Sequence, residues 1–285
     1  MYSPPIGANL WIWESPVTTA VIREYAPKLS KWGFDYVELP LEHPGDWDPG
    51  EVRAMLGKHG LHAEICAVMA PGRDLTARDE ATTRTTQDYL RSCIEAAAAI
   101  GGSIVAGPIY SPTGVTGAIS DAERAAVIER LADNLGPVLD HADNYAVQLA
   151  LEPLNRFETS LFNTVDQAIV LLKRVNRPTL GLLLDTFHMN IEERDIAAAM
   201  RRAGPYLIHF HASGNDRGTP GHDSIDWDAV RDVLDELDYA GVVSIESFTS
   251  ANQAIATAAS IWRPLAPTQD AIATDGLAFL RELFA

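Results

Sequence analysis

The amino-acid sequence predicts an α/β protein folded as a single (β/α)8 TIM barrel over residues 1–285. Short runs rich in Val, Ile and Leu alternate with longer amphipathic stretches along the whole chain. This alternation is typical of parallel strands that are joined by crossover helices. Eight such repeats fit within the 285 residues, a length that suits a closed barrel of eight strands.

The strands are predicted at the short apolar runs, which are too brief for helices of ordinary length. The first four predicted strands are Ile6–Trp13, Tyr36–Leu39, His62–Val68 and Ser103–Ala106. The next four are Val147–Glu152, Leu180–Asp185, Leu207–His211 and Val242–Glu246.

The amphipathic stretches between the strands predict the helices. The first four helices are expected over Thr18–Trp32, Pro49–His59, Glu80–Ile100 and Asp121–Asn144. The others are expected over Thr164–Val175, Asp195–Ala203, Trp227–Leu237 and a final stretch that ends near Leu283. Ser120 and Glu123 have the spacing of a capping box at the start of the fourth helix. No linker rich in Ser, Gly or Pro divides the sequence, which predicts one domain.

Composition excludes several classes of partner. The chain has 22 Lys and Arg against 39 Asp and Glu, for a net charge of −17. This excess of acid disfavours nucleic acid and anionic membrane surfaces, since both attract basic residues. The first residues lack the pattern of a signal peptide, and no apolar run reaches the length of a membrane-spanning helix. With only two cysteines, Cys66 and Cys93, we expect a reduced, cytoplasmic protein.

Four consecutive predicted strands end on side chains that can bind a metal ion: Glu152, Asp185, His211 and Glu246. The carboxyl ends of barrel strands form the active-site face in this architecture. Three carboxylates brought together there would repel one another without a cation. The donor set suits Mn²⁺ or Mg²⁺, with Co²⁺ also possible. A single acidic residue at a strand end is more often a helix cap. Capping alone is a poor explanation for polar residues at the ends of four consecutive strands.

Three further residues have candidate roles by position. His209 shares the inward face of its strand with His211, and we expect it either to support that ligand or to pack in the core. Glu38 could be a ligand by position, although the set of four is complete without it. Cys66 lies near the end of the third strand, where it would line the far end of a substrate or remain an inert buried thiol.

Two segments, LEPLNRFE (151–158) and LDTFHMNIEE (184–193), resemble the ketose 3-epimerases. This family includes D-tagatose 3-epimerase and D-allulose (psicose) 3-epimerase, within the xylose-isomerase-like barrel superfamily. The resemblance continues through HFH (209–211), Arg217, IESF (245–248) and IWR (261–263), and it spans essentially the whole chain.

The resemblance implies a role for each matching residue. Glu152, Asp185, His211 and Glu246 match the family's metal ligands, and Glu152 with Glu246 matches the pair that exchanges the proton. Residues that match substrate contacts are Glu158, His188 and Arg217, to which we add Cys66. The expected cofactor is a divalent metal, Mn²⁺ first and Mg²⁺ or Co²⁺ as alternatives, with no organic cofactor. We also expect a homodimer or homotetramer.

The implied reaction is metal-dependent C3 epimerisation of a free ketose through a cis-enediolate. The candidate pairs are D-fructose/D-allulose and D-tagatose/D-sorbose, with ketopentoses as a further class. Aldose–ketose isomerisation and dehydration of an inosose, both on the same barrel, are alternatives. A DNA-repair endonuclease barrel would need more histidine ligands and a basic groove, and neither is apparent. A non-catalytic sugar- or metal-binding protein is the remaining alternative.

Overall fold

Eight parallel strands form a closed barrel in the computed structural model, which describes residues 3–285. Each strand pairs with the next in the chain, and the last pairs with the first. The strands are β1 (Ile6–Asn9), β2 (Tyr36–Leu41), β3 (His62–Ala67), β4 (Ile104–Gly107), β5 (Gln148–Leu151), β6 (Leu180–Asp185), β7 (Leu207–Ala212) and β8 (Val243–Ile245). This order confirms the predicted (β/α)8 barrel.

Helices follow the strands and surround the barrel. They are α1 (Thr19–Trp32), α2 (Pro49–His59), α3 (Glu80–Ile100), α4 (Asp121–Tyr145), α5 (Val165–Val175), α6 (Thr186–Glu192), α7 (Ile196–Ala203), α8 (Trp227–Glu236), α9 (Gln253–Ala258) and α10 (Gln269–Leu283). The short helices α6 and α9 were not expected from the sequence. The capping box at α4 is confirmed, since Ser120 and Glu123 exchange side-chain and backbone hydrogen bonds. Among the described residues, no helix is both long and apolar enough to cross a bilayer.

The first strand is shorter than expected. β1 ends at Asn9, whereas the apolar pattern predicts a strand to Trp13. The side chain of Asn9 accepts a hydrogen bond from the backbone N–H of Trp11 over 2.9 Å and begins a 3₁₀ turn over Leu10–Ile12. The run of apolar residues continues past the end of β1 because Leu10 and Ile12 of the turn are also buried. This is the ambiguity expected of short apolar runs.

The apolar core has two parts, separated by the barrel wall. Leu182 and Leu184 face outward and join the large cluster between the strands and the helices. Leu183 points the other way, into a small cluster that it forms with Ile104, Ala106 and Ala150. The alternation follows from the period of two along a strand.

Polar side chains occupy the barrel interior toward the carboxyl ends of the strands. Glu38 on β2 contacts His209 and His211 on β7, and β2 and β7 are not neighbours in the barrel. Such a contact can form only across the interior. The barrel therefore places a buried polar network directly beside the ends of β5 to β8.

Candidate active site

The structure brings together Glu152, Asp185, His211 and Glu246. One potential ligand atom from each of these residues lies within 4.8 Å of those of the other three, and all four residues are buried. Glu152 and Glu246 stand one residue beyond the ends of β5 and β8. Asp185 is the last residue of β6, and His211 lies within β7. Four consecutive strands therefore deliver one side chain each to the same point.

Asp185 has two roles, one for each carboxylate oxygen. Oδ1 accepts a hydrogen bond from the backbone N–H of Phe187 over 2.7 Å and caps α6. Oδ2 faces the cluster, 3.8 Å from Nδ1 of His211. Helix capping and membership of the cluster are alternatives for an acid at a strand end, and the Asp185 side chain does both.

Two atoms in the cluster are buried without a hydrogen-bond partner: Oε1 of Glu152 and Nδ1 of His211. Nδ1 of His211 lies 3.2 Å from Oε2 of Glu246, but not in hydrogen-bonding geometry. Unpaired polar atoms in a buried site are costly. A divalent cation would satisfy both atoms and would reduce the repulsion among the three carboxylates. The donor set therefore fits a metal ion.

The pKa values in the cluster are displaced in opposite directions. Burial, together with the charge of Glu246, raises the pKa of Glu152 well above its usual value. Burial also raises the pKa of Asp185 to about 6, although Arg217 opposes the change. Glu246 is equally buried, but His211 and Arg217 lower its pKa to about 2. Strongly displaced pKa values at one buried point are typical of functional sites.

Arg217 reaches into the cluster from the loop after β7. Its Nη2 donates to Oε2 of Glu246 over 2.8 Å, and its Nη1 donates to Oδ2 of Asp185. The rings of Phe187 and Phe248 lie 4.6 and 4.8 Å from its Cζ atom. The guanidinium is thus fixed by two carboxylates and two aromatic faces, an arrangement that suits arginine better than lysine.

His188 and Glu158 lie on the side of the cluster nearest β5, and Asn155 connects them. The backbone N–H of Asn155 donates to Nδ1 of His188 over 3.1 Å, and its Nδ2 donates to Oε1 of Glu158 over 2.8 Å. Nδ1 of His188 is therefore an acceptor, and the proton lies on Nε2, 3.6 Å from Oε1 of Glu152. Asn155 was missed by the sequence analysis, although it lies inside the LEPLNRFE segment.

A cavity of about 500 Å³ opens above the cluster. Its lining includes all four expected substrate contacts, Glu158, His188, Arg217 and Cys66, together with Glu152 and Glu246. Burial raises the pKa of the Cys66 thiol well above its usual value, so the thiol is neutral near pH 7. The volume is within the range of small-molecule sites.

A second group of potential ligands overlaps the first. Glu38, His209 and His211 also bring one potential ligand atom each to a common point, and they share His211 with the cluster. Oε1 of Glu38 lies 2.9 Å from Nε2 of both histidines. The contact of Glu38 with His211 is on the ring edge opposite the cluster, since Nδ1 faces Glu246.

Comparisons with known proteins agree with this fold. Residues 27–283 match the family model described as the xylose isomerase-like TIM barrel. A probable ketose 3-epimerase of Synechocystis sp. is 36% identical over 285 residues, covering 99% of this chain and 98% of that protein. The ketose 3-epimerase of Arthrobacter globiformis is 31% identical over 282 residues, covering 97% and 96% of the two chains.

Solved structures give the same result. The D-allulose 3-epimerase from Methylomonas sp. in complex with D-allulose superposes with a TM-score of 0.90 and 28% identity, over 100% of this chain and 98% of that one. An L-ribulose 3-epimerase gives a TM-score of 0.92 and 29% identity, over 99% and 94%. This chain therefore belongs to the xylose isomerase-like TIM barrel family and, within it, to the ketose 3-epimerases, which are isomerases acting on sugars.

Proposed function

We propose that the chain catalyses metal-dependent C3 epimerisation of a free ketose, with Glu152 and Glu246 as the residues that exchange the proton. The observation that carries the proposal is the convergence of Glu152, Asp185, His211 and Glu246 within 4.8 Å beneath an open cavity. Relatives named as D-psicose, L-ribulose and D-allulose 3-epimerases support the same reaction.

We assign the metal site to these four residues. Three carboxylates and one imidazole favour Mn²⁺, with Mg²⁺ or Co²⁺ as alternatives, over a structural zinc ion. When bound, the ion supplies Lewis-acid stabilisation of the charge that develops on the substrate oxygens. The unpaired Oε1 of Glu152 and Nδ1 of His211 support the assignment, because both are buried polar atoms at the cluster without a hydrogen-bond partner.

The two glutamates come from strands that are not neighbours in the barrel, β5 and β8. A ketose carbon that lies between them can be approached from both faces. Removal of the C3 proton by one carboxylate, and delivery of a different proton to the opposite face by the other glutamate in its protonated form, then inverts C3 through a cis-enediolate. The glutamates exchange the roles of base and acid when the direction of the reaction reverses.

The remaining assigned residues hold the sugar. Arg217 and the Nε2–H of His188 are donors that face the cavity, and we assign them to the substrate oxygens at C1 and C2. Glu158, held by Asn155, orients a neighbouring hydroxyl. Cys66 lines the far end, where its neutral thiol packs against the distal carbons.

The candidate substrates are D-fructose/D-allulose, D-tagatose/D-sorbose and the ketopentoses, and the proposal needs no organic cofactor. A homodimer or homotetramer is part of the proposal, with apolar surface near Trp262 at the contact. This side chain is 85% exposed, and light scattering gives the mass of the assembly. A cytoplasmic location remains a prediction.

The test uses protein that has been treated with a chelator and resupplied with Mn²⁺. A panel of ketoses is incubated in D₂O, and products are identified by chromatography and NMR. The proposal predicts deuterium at C3 together with the C3 epimer. Aldose products would favour an aldose–ketose isomerase on the same barrel, and absence of exchange on every ketose would contradict the proposal.

A further inference from the structure

Glu38 is the centre of a hydrogen-bond network inside the barrel. Its side chain is buried, and its Oε1 lies 2.9 Å from Nε2 of His209 and 2.9 Å from Nε2 of His211. Its other oxygen, Oε2, accepts from Nδ2 of Asn9 over 2.9 Å and from Oγ of Ser244 over 3.3 Å. Both oxygens of Glu38 are therefore engaged, each by two neighbours.

The orientation of Asn9 is fixed independently of Glu38. Its Oδ1 accepts from the backbone N–H of Trp11 over 2.9 Å, so its amide NH₂ must face Glu38. The same NH₂ also reaches Oε1 of Glu246 over 3.3 Å. Glu38 is thus connected to the cluster twice, through His211 and through Asn9.

An ionised carboxylate accepts hydrogen bonds and cannot donate them. When the His211 ring is neutral, Nε2 must therefore carry its proton, and Nδ1 is left with the lone pair. Nδ1 is the atom that faces the cluster, 3.2 Å from Oε2 of Glu246. A histidine can bind a metal ion only through a nitrogen that carries a free lone pair.

We infer that Glu38 is a positioning residue, which fixes His211 in the tautomer that can bind the metal and steadies Glu246 through Asn9. This inference rests on the proposed metal site. It assigns to Glu38 the role that carboxylates behind metal-binding histidines have in other proteins.

A second metal ion held by Glu38, His209 and His211 is the competing explanation. A neutral imidazole has one lone pair, so His211 could serve both groups only as an imidazolate. The 2.9 Å separations from Oε1 of Glu38 to the two ring nitrogens are ordinary hydrogen-bond lengths. The number of Mn²⁺ ions bound per chain separates the two explanations.

Glu38→Gln is the informative substitution because an amide cannot accept hydrogen bonds both from Asn9 and from the two histidines. If its carbonyl faces Asn9, its NH₂ faces the histidines and forces the proton of His211 onto Nδ1. If its carbonyl faces the histidines, its NH₂ opposes the NH₂ of Asn9. Either orientation disturbs the network.

Glu64→Gln is the matched control. Glu64 is a buried carboxylate on β3, paired in register with Glu38 on β2. Its Oε2 accepts from the backbone N–H groups of Ser103 and Ile104, and its Oε1 contacts the hydroxyl of Ser103. A glutamine can keep its carbonyl on the two N–H groups and donate to the hydroxyl, so this substitution is compatible with its surroundings.

Two measurements test the inference, and neither uses a sugar. ¹⁵N NMR of metal-free protein labelled at histidine, recorded at increasing pH until the His211 ring is neutral, reports the tautomer of His211, assigned with a His211→Gln sample. Calorimetry with Mn²⁺ alone reports affinity and stoichiometry. In the neutral ring we expect only the Nε2–H form in the wild type. Glu38→Gln should show the Nδ1–H form where its NH₂ faces the histidines, and in either orientation of the amide its Kd for Mn²⁺ should be about 10–100-fold higher than that of the wild type. Glu64→Gln should retain the wild-type tautomer and affinity.

Three outcomes would overturn the inference: the Nδ1–H form in the wild type, an unchanged tautomer and Kd in folded Glu38→Gln, or two Mn²⁺ ions per chain of which one is lost in that variant. If Glu38→Gln does not fold, Glu38→Asp keeps the charge but withdraws the carboxylate by one methylene. It should give an intermediate Kd, and wild-type values would again overturn the inference. If the wild type binds Mn²⁺ but exchanges no proton of any ketose, that result would instead contradict the proposed function.

Discussion

Arg217 donates a hydrogen bond from Nη2 to Oε2 of Glu246 over 2.8 Å, which joins the loop after β7 to the end of β8. The other arm of the same guanidinium contacts Asp185. One cation from a loop therefore orients two of the four proposed metal ligands. Its own position is fixed by the rings of Phe187 on α6 and Phe248 just after β8.

Arg217→Lys should lower kcat/KM about 10–100-fold, the equivalent of one hydrogen bond between charged groups. The single ammonium cannot contact both carboxylates while it lies between two rings. Steady-state kinetics with the best ketose of the panel measure the effect. Arg201→Lys is the control, since Arg201 pairs with Glu236 at the surface, and it should match the wild type. Equal kinetics for the two variants would contradict the role of Arg217.

Gly181→Ala should destabilise the barrel by about 1–3 kcal/mol through overpacking. A methyl group at this position in β6 would lie 2.7 Å from Cδ1 of Ile208 and 2.8 Å from the carbonyl oxygen of Tyr206. Gly57→Ala is the matched comparison, because nothing lies within 4 Å of a methyl group there, inside α2. It should stabilise the protein by about 0.5–1 kcal/mol. Urea unfolding measures both, and a stabilising Gly181→Ala would show that β7 packs differently.

Glu64 gives the folded protein a specific pH dependence. Burial raises the pKa of its carboxyl, although His209 and the N–H of Ile104 oppose the change. An acid with a raised pKa in the folded state stabilises the fold below its unfolded pKa, which is about 4.3. That contribution is lost as the pH rises through the folded pKa.

Glu64→Gln has no ionisable group at this position, so it does not lose this stabilisation as the pH rises. Its unfolding free energy relative to the wild type should therefore increase as the pH rises from about 4 through the folded pKa of Glu64. Urea unfolding of both proteins at several pH values measures this difference. A difference that stays constant with pH, or decreases, would show that Glu64 is not strained by burial.

The barrel could be predicted because each strand coincides with a short apolar run that is visible in the local sequence. The apolar runs and the period of two also placed Glu152, Asp185, His211 and Glu246 at strand ends, and the structure brings them together. The end of β1 could not be predicted, because a buried 3₁₀ turn has the same apolar composition as a strand. Helix α6, with seven residues, is too short to show a helical period.

The network around Glu38 could not be predicted from the sequence for a different reason. Glu38 and His211 are 173 positions apart, and their contact depends on how the barrel closes between β2 and β7. The sequence pattern indicates Glu38 only as a possible ligand and His209 as a supporting or packing residue. The structure shows both in one network around His211, a relationship that no local pattern contains.

Removal of the metal should destabilise the protein. Three carboxylates at one buried point repel one another, and an ion that binds only the folded state stabilises it by about 2.7 kcal/mol at 100 times its Kd. A chelator should therefore lower the Tm, and Mn²⁺ should restore it in a manner that depends on its concentration. Scanning calorimetry measures the shift, with Asp185→Asn as a variant whose response to Mn²⁺ should be weakened. An unchanged Tm on chelation would contradict the metal site.

The proposed reaction requires Glu152 and Glu246 to transfer protons at C3 of a ketose. Glu152→Gln and Glu246→Gln should each lower the rate of C3 epimerisation by about 10²–10⁴-fold, because the amide can neither take up nor deliver a proton. Glu236→Gln is the control, since Glu236 lies on the surface of α8 and should leave the rate unchanged.

The measurement is deuterium incorporation at C3 together with formation of the C3 epimer, both followed by NMR in D₂O with Mn²⁺ present. We expect both to be rapid for the wild type and Glu236→Gln. The two cluster variants should lose the C3 epimer, since the glutamate that remains can exchange a proton only on its own face. Formation of the C3 epimer at the wild-type rate by either Glu152→Gln or Glu246→Gln would contradict proton transfer by these two glutamates.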